Sequence, residues 1–156
     1  MSKTSKIIYL FLSLIFFILL NLFLTDYILN NGYMLAENPV FDLIYIKNQG
    51  AAFNIFDGCR WFLIIFSVAA AVGLMIYAVK KIEKFSVFLL FFTSMLVSGI
   101  FTNMFERLIY GYVRDYIKLN FINFPVFNIS DIFINIGVFS IILIILKRSY
   151  FNKKSD

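Results

Sequence analysis

IIYLFLSLIFFILLNLFLT, residues 7–25, carries no charged side chain, and its polar members are only Tyr9, Ser13, Asn21 and Thr25. A helix rises about 1.5 Å per residue and needs about 20 apolar residues to cross a bilayer core. The run therefore reads as a membrane span. Three more follow at about 61–79, 85–105 and 128–146. The last is continuously apolar only from Ile132, so it reaches spanning length by recruiting residues 127–130 or the chain after Leu146. Composition agrees: 62% of residues are hydrophobic and 15% charged, with 21 Phe, against about 45–50% and about 25% in soluble domains. Too few charges are available to cover a water-facing surface. The expectation is an all-α membrane protein, one membrane domain over residues 1–156, with four transmembrane helices and outer loops at about 26–60 and 106–131.

Lys3 and Lys6 precede the first run, as in a signal peptide. The apolar stretch is longer than the usual h-region of about 7–15 residues, and no small-x-small cleavage site follows it. It reads as a retained helix.

Flanking charge sets the expected orientation. With the N-terminus inside, four crossings place Lys3, Lys6, Lys80, Lys81, Lys84, Lys147, Arg148, Lys153 and Lys154 on the inner side, and Lys47, Arg60, Arg107, Arg114 and Lys118 outside. Nine against five favours cytoplasmic N- and C-termini. It also accounts for the net charge of +5 without a nucleic-acid partner. In the first outer segment, FDLIYIKNQGAAFNIF (41–56) holds β-branched and aromatic residues around an Asn48-Gln49-Gly50 turn signal. This predicts a short hairpin, a small extracytoplasmic β-element between helices 1 and 2. The second outer segment reads as a loop on the membrane surface, and the terminal FNKKSD as a frayed tail.

The sequence contains no His and a single Cys59. His acid/base chemistry, His-ligated metals and an internal disulfide are thereby excluded; no metal and no cofactor is expected. Carboxylates, amides, hydroxyls, Lys and Arg remain. Acids close to a membrane are costly, and two sit at helix ends: Asp115 beyond the third run and Asp131 opening the fourth. Consecutive spans bring both to one mouth, where two carboxyls cannot easily both ionise and can share a proton. Such a pair performs aspartic-protease chemistry. The plainer alternative is that Asp131 caps the fourth helix and Asp115 is solvated, and spacing alone favours it. Gly99, Asn103 and Arg107 recur every four positions, on one helix face. That fits a site-lining face, and equally a packing glycine, an interhelical amide and a snorkelling Arg.

Three stretches sharpen the choice: KNQGAAF (47–53), SGIFTNMFERLIYGYVRDYI (98–117) and FPVFNISDIFINIG (124–137). In order, spacing and helix placement they resemble the motif blocks of lipoprotein signal peptidases (signal peptidase II), along the whole four-span chain. The resemblance implies an intramembrane aspartic endopeptidase of the bacterial plasma (inner) membrane, with its site near the extracytoplasmic face. That family removes the signal peptide from prolipoproteins by cleaving before a diacylglyceryl-modified Cys, without metal or cofactor. It implies Asp115 and Asp131 as the catalytic pair, with Asn48, Gly50, Asn103, Arg107 and Asn128 binding substrate or supporting the site. The implied partners are a lipid-modified prolipoprotein and membrane lipid, with the enzyme a monomer. Two departures stand out. Where the family commonly ends its first helix with an Asp and a Lys four residues apart, Asp26 is followed here by Asn30. Where it carries Asp-Arg on the third helix, this chain has Glu106-Arg107. The competing expectations are a non-catalytic polytopic protein (an inactive relative, transporter subunit or assembly factor) and a Ser130/Lys118 peptidase.

Overall fold

The computed structural model describes residues 1–31, 39–51 and 55–153, with side chains to residue 150. Four helices, α1 (Lys3–Asn31), α2 (Arg60–Lys80), α3 (Val87–Tyr110) and α4 (Ile129–Lys153), are interleaved with two strands, β1 (Phe41–Asn48) and β2 (Val113–Leu119). All four helices are long and apolar enough to cross a membrane. They run further than their apolar cores suggest. α1 continues to Asn31, and α3 to Tyr110, where Gly111 closes it in the left-handed conformation (φ 88°) that glycine adopts without steric cost. The expected loop from residue 106 thus begins five residues later, because Glu106 and Arg107 turn into the protein rather than out to water.

α3 is the centre. More than half of its span is buried, against about a fifth in the others, and α1, α2 and α4 pack around it. Lipid offers no hydrophobic drive between helices, so close approach and polar contacts hold them. Ser94 Oγ donates to the Leu10 carbonyl of α1 (3.0 Å) and lies 2.9 Å from Ser13 Oγ. A Cβ at Gly99 would meet the Ser130 carbonyl at 2.5 Å, and one at Gly137 would meet the Leu96 side chain at 2.8 Å. These two glycines let α3 and α4 touch backbone to backbone. At the start of α1, Lys6 Nζ donates to the carbonyls of Ile82, Glu83 and Phe85 (3.3, 2.9 and 2.7 Å), tethering α1 to the short turn between α2 and α3.

The β-element differs from the predicted hairpin. β1 pairs antiparallel with β2, which lies in the other outer segment, from Phe41↔Leu119 to Asn48↔Val113. The turn signal is genuine, since Gly50 N–H donates to Asn48 Oδ1 (2.9 Å) in an Asx turn. The chain beyond it enters a second turn at residues 55–58; Ala52, Phe53 and Asn54 of the quoted motif lie outside the described residues. Nor is the second outer segment simply a loop: VRDYIKL forms β2, and Phe127 bridges its other side at Ile117. Local pattern reading favours the nearest partner in sequence, whereas this sheet joins strands more than sixty residues apart. Between Leu43 and Ile46 the register slips by one residue, so Ile44 and Tyr45 face the single Tyr116 in a bulge.

Candidate active site

The mouth where α3 leaves the bundle and α4 enters it is built by the start of α4. Asn128 is the N-cap: its Oδ1 accepts the Asp131 N–H (3.0 Å), and Asp131 Oδ2 accepts the Asn128 N–H (3.1 Å). This is a reciprocal capping box with Asn and Asp in its two positions. The plain capping role of Asp131 is therefore real, yet it occupies one carboxyl oxygen only. The other, Oδ1, accepts from Asn103 Nδ2 of α3 (2.8 Å).

Asp115 reaches the same place from β2. It is buried, at 3% exposure, and pairs in register with Ile46 of β1. Its Oδ1 accepts from Asn128 Nδ2 and its Oδ2 from Asn48 Nδ2, each at 2.8 Å. Asn128 therefore touches both acids, and its Nδ2 also contacts Asn103 Oδ1 (3.2 Å). Each of the four carboxyl oxygens accepts one N–H, every donor a neutral amide. Among the described residues no cation forms an ion pair with either acid. Burial pushes the Asp115 carboxyl up to about 6; the nearby Asp131 charge adds to this, while the Asn48 and Asn128 hydrogen bonds oppose it.

Arg107 lies one turn beyond Asn103, 8% exposed. Its Nη2 donates to the Gly50 carbonyl (2.6 Å) and its Nη1 to the Asn103 carbonyl (3.2 Å), while buried Nε has no partner among the described residues. The guanidinium thus ties the Asn48–Gly50 turn to α3, and its charge acts on Asp115 from nearby without forming an ion pair with either acid. Both acids, Asn48, Asn103 and Arg107 line one cavity of about 570 Å³, whose other wall includes Leu119, Phe124, Pro125, Val126 and Ile136. That size suits a small-molecule or peptide-segment site. All seven predicted site residues thus converge here, Gly50 through its carbonyl on Arg107.

Other residues complete the frame. Glu106, 7% exposed, grips Arg114: Oε2 accepts the Arg114 N–H (2.7 Å), and Oε1 accepts Nε (3.0 Å) and Nη2 (2.7 Å). The Glu departure thus clamps the end of α3 to the strand residue before Asp115. Behind the acids, Ser130 Oγ lies 2.8 Å from Thr102 Oγ1 and accepts from Asn21 Nδ2 (3.2 Å). Tyr116, 1% exposed, lies 2.9 Å from Thr25 Oγ1 and accepts the Ile129 N–H (3.3 Å). Reading residues 7–25 as a lipid-facing span overlooked Asn21 and Thr25; their spacing of four on one face was the available signal. The Ser130/Lys118 reading fails, because Ser130 is locked in that buried network and Lys118 lies 3.8 Å from Asp42 on the exposed edge of the sheet. Asp26 and Asn30 are both exposed on α1, away from the buried network.

Known proteins resemble this chain closely. A family model described as signal peptidase (SPase) II matches residues 13–147. A lipoprotein signal peptidase of Streptococcus thermophilus is 37% identical over 118 residues, 76% of either chain. One of Streptococcus agalactiae serotype Ia is 33% identical over 109 residues, 70% of either chain. A solved structure titled a bacterial membrane enzyme superposes with TM-score 0.77 at 27% identity, covering 90% of this chain and 88% of its own.

Proposed function

Since the chain belongs to the signal peptidase II family of lipoprotein signal peptidases, we propose that Asp115 and Asp131 are the acids with which it removes signal peptides from prolipoproteins. Peptidase activity of the aspartic type and a multi-pass membrane location come with the family and the four spans. The assignment of the pair is carried by one observation: a buried carboxyl, Asp115, and a half-buried one, Asp131, come from different elements, are both held by Asn128 and face one cavity.

In this reading the pair shares one proton, because a second negative charge in a desolvated site held only by neutral amides is costly. The ionised carboxyl takes a proton from a water, which attacks the scissile carbonyl carbon. The protonated carboxyl gives its proton to the carbonyl oxygen. Collapse of the tetrahedral intermediate then returns a proton to the leaving nitrogen and restores the pair. Arg107, without an ion pair to either acid, lends a nearby positive charge to the remaining ionised carboxyl and holds the Asn48–Gly50 turn in place. Asn103 and Asn128 hold the acids apart, and Asn48 with Gly50 joins β1 to the site. The substrate is a prolipoprotein whose lipidated end lies against the apolar wall near Phe124 and Val126. The remaining parts of the proposal are a monomeric domain over residues 1–156 in the bacterial inner membrane, with cytoplasmic termini and the site near the extracytoplasmic face.

Complementation in cells lacking their own enzyme tests the pair. Asp115→Asn and Asp131→Asn are expected each to leave lipoprotein uncleaved on a gel, at wild-type membrane abundance. Either variant processing as well as wild type refutes the assignment. It would favour the non-catalytic alternative of an inactive relative, transporter subunit or assembly factor.

A further inference from the structure

A cavity larger than the one at the carboxyl pair lies at the opposite end of the bundle. There α2 and α4 flank the first turns of α3 and leave a groove of about 1240 Å³. Its walls are apolar, with Phe88 and Phe92 of α3 facing Ile141, Ile144 and Ile145 of α4. From Arg148 back to Ile141 the α4 wall extends about 10 Å at 1.5 Å per residue, enough for a good part of an acyl chain. The rim is cationic, formed by Lys84, Lys147 and Arg148. Arg148 is held in place, its Nη1 donating to the Lys84 carbonyl (3.0 Å), while its Nε and Nη2 have no partner among the described residues. Glu83, the acid on this turn among the described residues, lies 3.9 Å from Lys3 Nζ. The rim cations therefore have a surplus of positive charge above an apolar slot.

We propose that this groove binds one anionic phospholipid, with an acyl chain between Phe88 and Ile145 and its phosphate on Lys84, Lys147 and Arg148. Basic pockets between transmembrane helices suit anionic head groups in this way. The substrate is a poor match for the rim, because signal peptides begin with a basic n-region that these cations would repel. A zwitterionic lipid would fill the slot but gain little from the rim.

Native mass spectrometry of the purified full-length protein tests this, using phosphatidylglycerol and phosphatidylcholine with identical chains. Two or three rim cations predict that phosphatidylglycerol is retained about thirty- to a hundredfold more strongly. Lys84→Gln/Lys147→Gln/Arg148→Gln should bring the two lipids to near parity, while leaving prolipoprotein cleavage in phosphatidylcholine nanodiscs unchanged. Wild-type protein in rising salt gives the same reading without mutation, since screening should erode the preference. Equal retention of both lipids by wild type, a preference untouched by the triple variant and by salt, or displacement of the lipid by a synthetic signal peptide would each overturn the proposal. Loss of cleavage in Asp115→Asn with the lipid preference intact would keep it separate from the catalytic assignment.

Discussion

The two ends of this bundle treat charge in opposite ways. At one end Asp115 is buried and Asp131 half-buried, and every oxygen they possess accepts from a neutral amide or backbone N–H rather than from a cation. At the other, Lys84, Lys147 and Arg148 stand exposed around an apolar slot, with Glu83 the acid on the adjoining turn among the described residues. Ion-pairing these acids would hold both ionised and leave no proton to share. Amide donors orient carboxyls without supplying charge, so desolvation can still favour a protonated member. Exposed cations need no such care, because water and lipid head groups satisfy them. What separates the two ends is therefore the kind of partner each charge is given, and the proposed roles of catalysis and lipid binding rest on that difference.

Asn128 carries most of that distinction, so changing it should have the largest effect. Asn128→Ala removes the helix cap, worth about 0.5–2 kcal/mol, and strips a donor from Asp115 and from the Asn103 contact. We expect kcat to fall about a hundredfold, as when a reacting group is displaced by about 1 Å, with a lowered melting temperature. Asn128→Ser keeps a capping oxygen but cannot reach Asp115, so it should restore stability and leave kcat low. Recovery of both would make the amide bridge irrelevant to the acids.

The pH profile tests the choice of neutral donors more gently. Burial holds the Asp115 carboxyl up to about 6, so it is protonated below that value and gives up its proton as pH rises through it. In the free enzyme the pair should therefore lose its shared proton, and kcat/KM should fall about tenfold per pH unit above its apparent pKa. Substrate seated over the cavity further disfavours a second negative charge. The alkaline limb of kcat should accordingly lie at higher pH than that of kcat/KM. A profile flat from pH 5 to 9 would mean that no shared proton is used.

The spans were legible because hydropathy is a local property, and so were both acids and the Asn103–Arg107 face, because helical spacing and motif order are written in one segment. The partner of β1 was not. Pairing of Phe41–Asn48 with Val113–Leu119 depends on α2 and α3 folding between them, and a turn signal at Asn48–Gly50 reports a turn whether or not a strand follows. Asn21, Thr25 and Thr102 were hidden for a related reason: a polar side chain in an apolar run looks like a tolerated interruption until the helix facing it is known. Glu106 read only as a departure from the family's Asp, and its clamp on Arg114 became visible only once β2 existed.

That clamp should yield the smallest of these effects. Glu106 and Arg114 touch neither carboxyl, but they join the last turns of α3 to the residue preceding Asp115 through three hydrogen bonds. Glu106→Gln keeps the length and loses the charge, weakening the two guanidinium contacts while an amide oxygen can still accept the backbone N–H. Arg114→Gln removes the other side of the same contact. Charge-assisted bonds of this kind contribute about 1.5–3 kcal/mol where buried, and Arg114 is partly exposed, so each single change is expected to lower kcat/KM about three- to tenfold. If the two side chains act through one another, the double variant should be no worse than the poorer single one, because the first change already releases the strand. Losses that multiply would show instead that Glu106 and Arg114 reach the site by separate routes, and the strand position of Asp115 would have to be held by β1 and Phe127 alone.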